Sequence, residues 1–288
     1  EVQILAQLRH PNIVTIHDSG VAGHAAYFVM DYIAGEPLNR YVTLRSPDLP
    51  ARLRLFAKIC AAVNVAHLRG VIHRDLKPGN LRVDPSGEPH VLDFGLAKRS
   101  ALEDKDDTHA DMTVTGQFVG SLPWASPEQA EGRSDRIDLR TDVYSLGVIL
   151  YQLLTGDFPY EVSGSLSQTT QNIVHREARH PRMLNRRLDD EICTIVLKAL
   201  RKDREDRYQT AGSLGREIER YLAGEPLEAK RDSITYMLRK QLARHKIAAG
   251  VIAGFFALIV VGFGVSLTFW RQAVVARNAE VDLKIVAE

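Results

Sequence analysis

Asp75, Lys77 and Asn80 stand together in His73-Arg74-Asp75-Leu76-Lys77-Pro78-Gly79-Asn80, and Asp93-Phe94-Gly95 begins 18 residues after Asp75. An aspartate able to accept a hydroxyl proton, with a lysine, an asparagine and a second aspartate at this spacing, is one set of parts for moving a γ-phosphoryl group. Taken singly, each acidic or amide side chain is an ordinary turn residue. The spacing carries the reading.

A third element follows in order, Gly120-Ser121-Leu122-Pro123-Trp124-Ala125-Ser126-Pro127-Glu128. With it, the chain from Glu1 to about Tyr221 resembles the eukaryotic-like (Hanks-type) Ser/Thr protein kinases of bacterial membranes. The resemblance implies an α+β, protein kinase-like fold with a partial small lobe and a mainly helical large lobe. It implies ATP and Mg2+ as cofactors and proteins as substrates. By resemblance Asp75 orients the substrate hydroxyl and accepts its proton, Lys77 neutralises the transferring group, and Asn80 and Asp93 hold magnesium through oxygen donors, which suit a hard cation. Glu1 falls on the helix αC glutamate. Met30 falls at the gatekeeper, and backbone groups of Asp31 and Ile33 bond the adenine. Leu5, Ile16, His73 and Phe94 stack as packing residues. Asp142 bonds the catalytic-loop backbone, and Glu128 pairs with Arg207 under the activation segment. Thr113 and Thr115 resemble a paired-threonine activation segment whose phosphate docks on Arg74, with Lys98 as a second cation; Thr108 lies in the same polar stretch. Ser121 is expected against Asp75 and Lys77.

Three positions depart from the family pattern. Arg82 stands where an apolar residue usually lies beneath the adenine, and Trp124 and Ser126 replace the commoner Tyr and Ala. No Gly-rich phosphate loop and no strand lysine precede Glu1, which reads as a fragment, a truncated product or a misassigned start, and residues 1–288 alone are expected not to transfer phosphate. A catalytically silent pseudokinase or binding module is the alternative reading, and a homodimer stays open.

Positioning these groups falls to ordinary globular sequence. The balance of 37 basic against 36 acidic residues gives no steer toward nucleic acid. The two cysteines, Cys60 and Cys193, sit in apolar helical stripes and read as small core residues of a reducing, cytoplasmic region. Short β-like runs lie at 13–17, 25–31, 81–83 and 90–92, and helical periodicity at 51–69, 139–154, 189–200 and 210–222. The expected division is a kinase domain over 1–222, a basic juxtamembrane segment over 223–246, a transmembrane helix over 247–270 and an extracytoplasmic start of a tail over 271–288. Residues 247–270 carry no charge, and about 20 apolar residues span a bilayer. Lys230, Arg231, Arg239, Lys240, Arg244 and Lys246 precede the run and only Arg271, Arg277 and Lys284 follow it, which puts the kinase side of a single-pass protein in the cytoplasm.

Overall fold

The computed structural model describes residues 8–22, 25–94 and 120–230, with helical positions scattered between 255 and 272. Two compact units emerge, Glu1–Lys230 and Arg231–Glu288. In the first, strands β1 (Ile16–Ala22) and β2 (Ala25–Met30) form an antiparallel pair, with Ile16 opposite Met30 and a register shift before Asp18. The expected strand at 13–17 begins later. Ile13 makes an isolated parallel bridge to Val91, and Val14 donates to the Val91 carbonyl at 3.1 Å, so the chain is drawn to the large-lobe hairpin before it meets β2.

A second sheet has the order β3 (Glu36–Pro37), β4 (Leu81–Val83), β5 (Pro89–Val91), all antiparallel. Leu81, Val83 and Val91 face the core while Arg82 lies on the opposite face, as the two-residue period requires.

Helices build the large lobe. After α1 (Leu38–Arg45) comes α2 (Leu49–His67), opened by Asp48, whose carboxylate accepts from the Ala51 N–H at 2.8 Å. The short α3 (Pro127–Ala130) is started by Ser126 in a capping box with Gln129. Helix α4 (Leu139–Thr155) is buried along nearly its whole length from Thr141 to Leu154, the mark of a central core helix, and ends at Gly156 in the left-handed region, φ 81°. Helix α5 (Leu166–His175) follows, then α6 (Asp190–Ala199) and α7 (Ala211–Leu222). Gly147 lets α4 and α6 touch, because a Cβ there would lie 2.9 Å from Ala199 Cβ.

The first unit runs to Lys230 rather than ending at residue 222. Leu227 is fully buried, the Ala229 N–H reaches Glu217 Oε1 at 2.9 Å, and Lys230 pairs with Asp190, so the start of the expected juxtamembrane segment belongs to the packed unit. Among the described residues, no helix is long and apolar enough to cross a membrane; the expected 247–270 span is described only in part.

Candidate active site

The loop between α2 and β4 is held by one buried carboxylate. Asp142, on the first turn of α4, accepts the Arg74 N–H through Oδ1 at 2.9 Å and the His73 N–H through Oδ2 at 2.8 Å, with His67 Nε2 also 2.8 Å from Oδ2. Burial alone would raise the Asp142 pKa, but the His67 bond and charge and the His73 amide outweigh it and hold the carboxyl below its usual range. This grip matters because Arg74 has φ 62°, in the left-handed region that side chains other than glycine seldom enter. Gln129 adds a clamp from α3, its Nε2 donating to the Arg74 carbonyl at 2.8 Å.

His73 is packing rather than chemistry. Its ring stacks on Phe94 at 4.7 Å between centroids, its Nε2–H donates to the Leu92 carbonyl at 2.8 Å, and burial lowers its pKa, so it stays neutral.

Next along the loop, the polar groups converge. Lys77 Nζ lies 2.9 Å from Asp75 Oδ2 and donates to Ser121 Oγ at 2.8 Å. Asn80 Nδ2 donates to the Asp75 carbonyl at 2.9 Å and reaches Asp75 Oδ2 at 3.2 Å. The asparagine amide nitrogen is therefore committed, and Oδ1 is the atom left to offer. Asp93 is exposed just past β5, also with positive φ, 51°. Among the described residues no three His, Cys, Asp or Glu side chains gather as a metal cluster.

Across the cleft, Asp31 and Ile33 follow β2. The Asp31 N–H donates to the Thr15 carbonyl at 3.1 Å, and its exposed carboxylate meets His17 Nε2 at 2.6 Å. Arg82 does not turn to solvent. Its Nη1 donates to the carbonyls of Gly35 at 2.8 Å and Ile33 at 3.3 Å, tying the hinge to β4. Gly35 permits this closeness, since a Cβ there would sit 2.2 Å from the Val83 carbonyl oxygen.

Beneath the site, Arg207 and Glu128 form a two-pronged pair, Nη1 to Oε1 and Nη2 to Oε2 at 2.9 Å each, and the Thr141 hydroxyl donates to Oε1 at 2.9 Å. Trp124 Nε1 donates to Gln152 Oε1 at 2.7 Å. Glu1, Leu5, Lys98, Thr108, Thr113 and Thr115 lie outside the described residues. Sequence reasoning missed His67 and Gln129. His67 sits among apolar residues at the end of α2, and Gln129 is marked only by its place three residues after the cap Ser126.

Comparison with known proteins agrees with this geometry. The protein kinase domain family matches residues 1–216. The serine/threonine-protein kinase PknB of Mycobacterium tuberculosis is 38% identical over 234 residues, covering 80% of this chain and 36% of that protein. PrkC of Bacillus subtilis is 34% identical over 235 residues, covering 81% of this chain and 35% of that protein. The chain thus spans about a third of the length of the curated relatives it matches. With the family matched over most of its length and the loop, hairpin and helices in place around Asp75, the chain belongs to the protein kinase domain family.

Proposed function

We propose that the protein is a membrane-anchored Ser/Thr protein kinase that transfers the γ-phosphoryl group of ATP to Ser and Thr hydroxyls of other proteins. The observation that carries the reading is the mutual engagement of Asp75, Lys77, Asn80 and Ser121 on a loop tethered by Asp142. The Asp75 carboxylate takes the proton of the incoming hydroxyl as its oxygen bonds to phosphorus and the bond to the ADP oxygen breaks. Lys77, steadied between Asp75 and Ser121, puts a positive charge where the transferring group gathers negative charge. Ser121 lines the place of the acceptor and favours a hydroxyl of Ser or Thr length.

The donor chemistry fits a magnesium nucleotide: Asn80 has its amide nitrogen committed and its oxygen to give, and Asp93 brings an exposed carboxylate. Bound there, magnesium would neutralise phosphate charge. The silent reading is not favoured, because these side chains engage one another as a working set. Phosphorylation of Thr113 or Thr115, with Arg74 as the phosphate partner, is the regulatory part of the proposal. Membrane anchoring is supported by the uncharged run 247–270 and by helical Phe255, Leu258, Phe263 and Trp270, all more than 60% exposed.

The test uses the full-length protein. Asp75→Asn should lower kcat by about 10²–10⁴ with nucleotide binding nearly unchanged, whereas Asp93→Asn should also weaken magnesium-dependent nucleotide binding. Mass spectrometry of the active protein should find phosphate on Thr113 or Thr115. Parental activity of Asp75→Asn would show that Asp75 is not the base, and absence of transfer by the unaltered full-length protein would reinstate the silent module.

A further inference from the structure

Two groups of the hinge are engaged within the chain itself. The Asp31 N–H is taken by Thr15, and the Ile33 carbonyl accepts from the Arg82 guanidinium. The Asp31 carbonyl and the Ile33 N–H keep no partner among the described residues. Of these four backbone groups, the hinge therefore keeps one acceptor followed by one donor for a ligand.

That edge discriminates between purines. Adenine offers an amino donor beside a ring-nitrogen acceptor, which complements it. Guanine and hypoxanthine offer a carbonyl acceptor beside a ring N–H donor, so in the same register like groups would meet, each leaving a desolvated polar atom unpaired. Slid along by one group, such a base could still place its carbonyl on the Ile33 N–H and give its ring N–H to the Ile33 carbonyl. Arg82 disfavours that second register, because the carbonyl it would need already accepts from a guanidinium held at the Ile33 and Gly35 oxygens, and the ring N–H would have to take the remaining lone pair beside a fixed cation.

Resting on the kinase reading of this cleft, we propose that Arg82 is a specificity-determining residue that disfavours guanine-type nucleotides by setting its cation on the Ile33 carbonyl. Its stem, on the face of β4 opposite Leu81 and Val83, forms the floor that the base lies on, so the residue combines an apolar surface with a fixed cation. Arginine suits the place, since a planar guanidinium can reach two carbonyls from one nitrogen while its stem stays flat against the strand.

The experiment compares kcat/KM for ATP and GTP in the full-length protein and titrates magnesium complexes of ADP, GDP and IDP. In the unaltered protein, ADP should bind about tenfold or more tighter than IDP, the size of one hydrogen bond and its desolvation. Arg82→Met keeps an unbranched stem and frees the carbonyl; its ATP-over-GTP preference should shrink roughly tenfold, with Arg82→Lys in between. An unaltered preference in Arg82→Met with ATP still bound, or equal binding of ADP and IDP by the unaltered protein, overturns the role of Arg82 alone. Failure of the unaltered protein to bind any of these nucleotides overturns the kinase reading and this inference with it.

Discussion

Arg207 carries a permanent charge into the core beneath α3, and every one of its N–H groups finds an acceptor there. Two go to Glu128, and the others to the carbonyls of Arg201, Arg140 and Lys202. A buried pair so fully bonded is tolerated, but either half left alone is not. Arg207→Ala or Glu128→Ala should each cost about 3–5 kcal/mol, read by urea denaturation, and the double variant should lose less than the sum. The pH dependence follows from the same residues. Burial would raise the Glu128 carboxyl, yet the Arg207 bond and charge hold it below its usual range, as His67 does for Asp142. As pH falls, the unfolded chain takes up these protons before the folded one. The stability they contribute is thus complete above the ordinary carboxylate range and is lost as pH drops through the lowered values. Glu128→Gln should flatten the acid side of the stability curve, and an unaltered acid limb would show that other carboxyls set it.

Helices α2, α4, α6 and α7 were legible because their apolar residues recur at helical spacing and cap residues mark their starts. Helix α5 was not. Its buried positions include Thr169 and Asn172, which pay for burial by bonding the Val162 and Glu161 carbonyls, so no apolar stripe announces it. Helix α1 follows Pro37, which supplies no side-chain cap, and buries only Leu38. For the site, the motif residues gave the cluster around Asp75, but the partners of Arg82 were not legible. Its head turns to hinge carbonyls that no one-dimensional pattern brings near. At this scale the tight crossing of α4 and α6 is a sharp test. Gly147→Val should lower stability by about 1–3 kcal/mol through overpacking against Ala199 and Leu200, seen as a drop in Tm. A neutral result would mean that α6 can slide without loss.

For the whole molecule, the proposed membrane attachment rests on the 247–270 run, so Phe256→Asp, near its middle, should impair insertion by roughly 2.5–3.5 kcal/mol. Carbonate extraction checks this, and recovery of the unaltered protein in the soluble fraction would refute the anchor. A different consequence lies in the Asp142 carboxylate. The His73 and Arg74 amides end on an acid with no solvent exposure, carried by a helix that is buried along nearly its whole length. Loops ordinarily exchange their amide hydrogens through small local openings. Here such an opening would strip a buried carboxylate of two of its donors, which makes it costly. In deuterated water, the His73 and Arg74 amides should exchange as slowly as the interior of α4, and Asp142→Asn should release them to loop-like rates while the α4 amides remain slow. The two residues preceding Asp75 would then report the integrity of the large lobe, and the geometry around Asp75 would be lost together with it.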